Sequence, residues 1–106
     1  MGERLKTQEK TTHQIGLELG RNSSGEQSDQ LALAYAGMIR SFDFEGFWQE
    51  AAEIFPDSVL AQNPGSLVWR FPLPFVGWTK LDMPINLFRV NGFMRGVKEA
   101  QSLIDH

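Results

Sequence analysis

The sequence predicts a single small α+β domain over residues 29–106, preceded by a flexible tail over residues 1–28. Three observations predict this class. The chain has two apolar stripes with helical spacing, then a run with aromatic residues at alternate positions, and then a last helical stripe. The chain has 106 residues, of which 42% are apolar and 22% are charged, as is typical of a globular domain. A folded part of this size holds a small core, so a dimer, a partner or further chain would help to stabilise it.

The predicted tail has few apolar side chains and no aromatic one, whereas all aromatic residues of the chain lie between Tyr35 and Phe93. Residues 22–25 read Asn-Ser-Ser-Gly, a flexible cluster. Such a segment buries too little apolar surface to offset the entropy of ordering it, which predicts a tail. It lacks the apolar run of a secretory signal, so we expect a cytoplasmic protein.

Two helices are predicted after the tail. Ser28 or Asp29 can cap the first, which extends to Phe42, and Asp43 can cap the second, which Pro56 ends. Because the connection between them is very short, an antiparallel pair is favoured. The predicted apolar stripes are Leu31, Ala34, Tyr35, Met38 and Phe42 on the first helix, and Phe44, Phe47, Trp48, Ala51 and Phe55 on the second.

Short strands are predicted next, at residues 57–62 and 77–81, with a turn at residues 63–65 between them. Residues 66–75 are predicted to be extended, because Trp69, Phe71, Leu73 and Phe75 alternate with Pro72 and Pro74. Neither proline can donate a hydrogen bond to a neighbouring strand, so one side of this strand must be an edge. It is interpreted as an edge strand or lid over the core, or as an aromatic edge that docks a peptide or a membrane interface.

A last helix is predicted to begin at Asp82, with a competing interpretation in which it begins at Asn91 and residues 85–90 form a strand. One face of this helix carries only small side chains, which lets another backbone approach closely. That face consists of Gly92, Gly96 and Ala100.

Charge is segregated along the chain. Residues 26–60 hold seven carboxylates against one arginine, and residues 61–98 hold five cations against one carboxylate. We expect solvated helix faces of opposite sign that attract each other within one fold. The total charge of −3 and the lack of a dense Lys/Arg cluster disfavour nucleic-acid binding.

Composition also excludes several kinds of site. The chain has no cysteine, which excludes disulfides, thiolate nucleophiles and cysteine-based metal sites. The two histidines, His13 and His106, have no credible partner by position, so we expect neither a catalytic triad nor a metal site. No glycine-rich phosphate loop occurs, so no cofactor is expected. No stretch approaches the roughly 20 apolar residues of a membrane span.

The order of these features resembles the first half of a nuclear transport factor 2-like domain, the superfamily of ketosteroid isomerases and polyketide cyclases. The resemblance covers residues 31–94 and depends on Tyr35, Asp43, Phe55-Pro56-Asp57, Val59, Asn63-Pro64, Gly77, Ile85 and Phe88. It implies a truncated form of that family's cone-shaped α+β fold. The second helix is about one turn longer than the family pattern, residues 66–74 look inserted, and the family's large curved sheet does not follow the last helix.

The resemblance also implies candidate site residues. Tyr35 matches the tyrosine that hydrogen-bonds the developing oxyanion in ketosteroid isomerases, and Asn63 matches their aspartate base. Because asparagine cannot accept a proton at useful pH, we expect that isomerisation to be lost. The candidate ligand-binding residues are Trp48, Asn63, Trp69, Phe75 and Trp78.

The expected function is therefore a non-catalytic or degenerate module of this family, which binds a small apolar ligand or a protein partner. A second hypothesis is a small accessory subunit, whose aromatic edge at residues 67–78 and small-residue helix face are buried in a larger assembly. A third is an isomerase or cyclase whose pocket is completed by another chain. A homodimer or a subunit of a complex is expected in each case.

Overall fold

The computed structural model describes residues 11–62, 64–68 and 82–104, and the statements below apply to them. They are 84% helical and contain no strand. The elements in chain order are α1 (Thr12–Gly20), α2 (Gly25–Ser41), α3 (Phe44–Ile54), two 3-10 turns (Val59–Ala61 and Pro64–Leu67) and α4 (Asp82–Ile104).

The predicted α+β class, and with it the truncated nuclear transport factor 2-like cone, is wrong, because the described part of the chain is largely helical and contains no strand. The strand predicted at residues 57–62 is a 3-10 turn. Ser58 explains the difference: its hydroxyl donates to the Phe55 carbonyl (2.7 Å) and accepts from the Leu60 amide (3.2 Å). These local bonds favour a tight turn over an extended ladder.

The remaining strand predictions fall mainly outside the described residues. Residues 66 and 67 belong to the second 3-10 turn. Residues 69–81, which contain the run of alternating aromatic residues and the strand predicted at 77–81, lie outside the part that the structure describes.

Helix α2 begins one turn earlier than predicted, at Gly25 instead of after Ser28 or Asp29. The cause is a capping box. The Ser24 hydroxyl accepts from the Gln27 amide (3.1 Å), and the Gln27 side chain accepts from the Ser24 amide (2.9 Å). This reciprocal pair satisfies two backbone groups that a start at Ser28 would leave to water.

The predicted antiparallel pair of α2 and α3 is confirmed. Asp43 caps α3, because its carboxylate accepts from the Gly46 amide (3.0 Å). Gln27 at the start of α2 donates to the Ile54 carbonyl at the end of α3 (3.1 Å), so the two helices run in opposite directions. Phe42 makes the sharp turn between them in a left-handed conformation with φ 56°.

The chain divides into two compact units, of which the second comprises Ser23–Phe88. Helices α2 and α3 pack together there, and α3 also packs on both 3-10 turns. The Phe47 and Trp48 rings meet edge to face, with centroids 5.1 Å apart. The buried apolar side chains of this unit are Leu31, Ala34, Met38, Phe44, Phe47, Trp48, Ala51, Phe55 and Leu60.

The first unit comprises Met1–Asn22 and Arg89–His106, so α1 and most of α4 form it. The two helices run parallel: the Thr12 hydroxyl donates to the Arg89 carbonyl (2.6 Å) at one end, and Gly20 lies against Ala100 at the other. Between these ends the backbones touch. A Cβ atom at Gly16 would collide with the Phe93 carbonyl oxygen, and one at Gly96 would collide with the His13 carbonyl oxygen.

Part of the segment predicted as a flexible tail is therefore an ordered helix. A Thr11–Gln14 capping box begins α1, and Ile15 is its buried large apolar side chain. Backbone contact through glycines holds this helix, so the low apolar content of the segment did not indicate its structure.

The prediction that α4 begins at Asp82 is confirmed, and the alternative start at Asn91 is wrong. The prediction that a second backbone approaches the small-residue face of α4 is also confirmed. Its occupant is α1 of the same chain. This face of α4 is therefore already covered, which removes one of the two surfaces that the accessory-subunit hypothesis invoked.

Gly16→Ala is expected to destabilise the first unit by about 1–3 kcal/mol, because the new methyl group has to displace α4 backbone. Gly37→Ala is the matched control: no atom lies within 4 Å of its Cβ position, and alanine favours a helix over glycine by about 1 kcal/mol. Thermal unfolding followed by circular dichroism, with amide hydrogen exchange of α1, measures both. Equal effects of the two substitutions would contradict the close crossing of α1 and α4.

Leu31→Ala and Leu33→Ala test the packing of α2. Leu31 is 1% exposed, so its truncation is expected to cost about 2–5 kcal/mol of the free energy of unfolding. Leu33 is 74% exposed, and its truncation should change stability by no more than about 0.5 kcal/mol. Urea titration of both variants gives the comparison, and similar costs would show that the buried face of α2 is misplaced.

Candidate functional site

The structure describes two of the predicted site residues. Tyr35 lies on α2 and is half-buried, and Trp48 lies on α3 with its indole fully buried against Phe47. Trp48 thus packs in the core of the second unit, and its ligand-binding role remains a prediction, as does the oxyanion role of Tyr35. Asn63, Trp69, Phe75 and Trp78 lie outside the described residues.

In residues 11–62, 64–68 and 82–104, no three His, Asp or Glu side chains lie close enough together to bind a metal ion. No helix in this part of the chain is both long and apolar enough to cross a membrane. Each unit has a groove at its surface, and the two grooves differ in charge.

The groove of the second unit lies between α2 and α3 and has a volume of about 550 Å³. Leu33, Ala34 and Ile54 supply its apolar surface, and Glu50 and Glu53 stand exposed at its rim. We call it the acidic groove. It is lined by Gln30, Leu33, Ala34, Glu50, Glu53 and Ile54.

Helical geometry explains the acidic groove. Leu31, Ala34 and Met38 form the buried stripe of α2, and Leu33 lies off that stripe, so it points away from the core. On α3, Glu50 and Glu53 are three residues apart and share the exposed face. Neither carboxylate makes an ion pair with any residue of the described part of the chain. The groove therefore combines an accessible leucine with a negative rim that pairs with no cation of the described residues.

The groove of the first unit lies between α1 and α4 and has a volume of about 610 Å³. Leu17 and Leu103 supply its apolar surface, and Leu103 is 74% exposed. Arg95 and Lys98, three residues apart on α4, carry its positive charge. We call it the basic groove. It is lined by Leu17, Arg95, Lys98, Glu99, Ser102 and Leu103.

Glu99 is the one acidic side chain that lines the basic groove, and it contacts two residues of its own unit. Its Oε2 atom lies 2.8 Å from His13 Nε2, and its Oε1 atom lies 3.7 Å from Arg95 Nε. The short contact to His13 joins α1 to α4 beside the glycine crossing. Lys98 makes no ion pair within the described residues, so its charge remains available at the rim.

Sequence reasoning missed both grooves. It assigned the apolar stripes of the helices and gave no role to the leucines that lie off them. Leu33 and Leu103 were the available signal, since each is a large apolar side chain outside its helix's buried stripe and each is 74% exposed.

Comparisons with protein-family models, curated proteins and solved structures found no match to this chain. The family resemblance of residues 31–94 receives no support from them. The two grooves, with their exposed leucines and opposite charges, are the features of the described residues that indicate a function.

Glu99→Gln is expected to cost less than about 1 kcal/mol of stability, because the His13–Glu99 pair is partly exposed, at 31% and 49% of the side chains. The cost should fall further in about 1 M salt, which screens exposed charges over about 3 Å. Glu50→Gln is the control, since that carboxylate has no ion pair among the described residues. Urea unfolding of both variants at low and high salt checks this, and a salt-independent loss would contradict an exposed ion pair.

Proposed function

We propose that this chain is a small protein-interaction module, a helical subunit or adaptor of a larger assembly that holds an amphipathic helix of a partner in its acidic groove. The observation that carries the proposal is the position of Leu33, which is 74% exposed beside an apolar groove between two packed helices. Amphipathic helices commonly bind in such grooves by inserting apolar side chains at helical spacing.

The outer face of α2 supports this mode of binding. Ala36 and Gly37 follow Leu33 on the exposed side of the helix, and nothing lies within 4 Å of the Cβ position at Gly37. Small residues beside one exposed leucine leave a shallow surface on which a second helix can lie closely. Burying a leucine there would contribute about 1.5–3 kcal/mol to binding.

The open form of the grooves favours a protein partner over a small apolar ligand. Pockets for small molecules usually enclose about 70–90% of the ligand surface. Both grooves in the described part of the chain lie open at the surface between two helices. An exposed leucine with charged neighbours resembles the centre and rim of a protein interface more closely than an enclosed pocket.

A photo-crosslinking residue such as benzoylphenylalanine tests the acidic groove directly. Placed at position 33 in the protein in its native cells, it is expected to give one discrete adduct, because the partner's helix covers this side chain. Placed at Ile39, which is exposed on α2 but does not line the groove, it should give none.

In a separate variant without the crosslinker, Leu33→Glu is expected to abolish co-purification of the protein found in that adduct. The thermal unfolding midpoint should stay unchanged, because the side chain lies outside the core. The same adduct at both positions, or none at position 33, would contradict the proposal.

A further inference from the structure

We propose that the partner held in the acidic groove is a second copy of this chain, whose helix α4 lies there with the face that carries Arg95, Lys98 and Leu103. This inference rests on the proposed function, since it names the partner of the same site. The two grooves belong to different units of the chain, and each copy therefore carries both complementary surfaces.

The charges of the two grooves match in sign and in spacing. Glu50 and Glu53 are three residues apart on α3, and Arg95 and Lys98 are three residues apart on α4. On an α-helix this separation is about 4.5 Å along the axis. Two carboxylates on one copy can therefore face two cations on another at the same interval.

Within the described residues, most of these charges have no close intramolecular partner. Glu50, Glu53 and Lys98 form no ion pair in the described part of the molecule, and Arg95 reaches Glu99 only at 3.7 Å. The nearer partner of Glu99 is His13, at 2.8 Å. Pairing between copies would thus use charges that have no short ion pair with another described residue, and it would leave the His13–Glu99 contact intact.

The apolar parts of the grooves are also complementary. Each groove carries one leucine that is 74% exposed, Leu33 in the acidic groove and Leu103 in the basic groove. Bringing the grooves together would remove both from water at the centre of a charged rim, which is the usual arrangement of an interface.

The distribution of charge along the chain also favours association between copies. The segment at residues 26–60 is strongly acidic and the segment at residues 61–98 is basic. Within the first unit, Glu99 lies 2.8 Å from His13 and 3.7 Å from Arg95, whereas Glu50, Glu53 and Lys98 make no ion pair with another described residue. Association of copies would satisfy the attraction between molecules. Because the two surfaces differ, the contact is head-to-tail.

Sedimentation of the full chain tests this inference. From micromolar to near-millimolar concentration in about 0.05 M salt, the mass should rise above the 12.0 kDa of one chain. In about 1 M salt it should fall back toward one chain, because the facing charges are screened. A mass of one chain at every concentration in low salt would overturn the proposal.

Charge reversal gives the decisive comparison. Glu50→Lys with Glu53→Lys, or Arg95→Glu with Lys98→Glu, is expected to weaken self-association at least about tenfold, since like charges then face each other. An equimolar mixture of the two double variants should associate again, because each reversed groove meets a groove of opposite sign. A mixture that stays at the mass of one chain would overturn the proposal.

Glu45→Lys with Asp57→Lys is the matched control. It changes the net charge as much as the Glu50 and Glu53 reversal does, at exposed positions outside both grooves. Its self-association should remain within about twofold of that of the original chain, because neither side chain lines a groove. A loss equal to that of the groove variants would assign the effect to net charge and overturn the proposal.

The crosslink at position 33 separates this inference from the proposed function. An adduct with the mass of two copies supports both. An adduct with a different protein, from a chain that sediments as a monomer, retains the interaction module and overturns the second copy. No adduct and no self-association would overturn both.

Discussion

Where α1 crosses α4 there is no room for a side chain at Gly16 or Gly96, and the first unit depends on this constraint. A nine-residue helix is too short to be stable alone in water. Glycine makes it weaker still, since each interior glycine costs about 1 kcal/mol relative to alanine. Close contact between the two backbones, which these glycines permit, offsets this cost through dispersion attraction. The helix therefore forms because it docks.

The second unit is stabilised differently, by large side chains between α2 and α3. Gln27 shows how local and tertiary structure are joined there. Its side-chain oxygen accepts from the Ser24 amide, which begins α2, and its nitrogen donates to the Ile54 carbonyl, which ends α3. One side chain thus sets where a helix starts and which end of its neighbour it meets. With the core filled from one side of α2, Leu33 is left on the other side, where the acidic groove opens.

The spacing of apolar residues predicted the helices that are stabilised by buried side chains. The Asp43 cap, the antiparallel pair and the Asp82 start of α4 follow from apolar spacing and capping chemistry. Periodicity failed where the backbone itself makes the contact, because α1 has too few apolar residues to stand out. It failed also at Ser58, whose hydroxyl bonds locally and converts a short apolar run into a turn. The grooves were not predicted, because Leu33 and Leu103 lie outside the buried apolar stripes of their helices.

The parallel pairing of α1 with α4 bears on how the chain is made. Thr12 and Arg89, which meet at the start of the crossing, are 77 residues apart. At roughly 5–20 residues per second, a ribosome needs on the order of 4–15 s to synthesise that interval. During this time α1 has no partner helix, while the α2–α3 pair can already form from a contiguous stretch. Translation thus orders the two units in time: the second folds from neighbouring segments, and the first closes only after the glycine face of α4 has emerged.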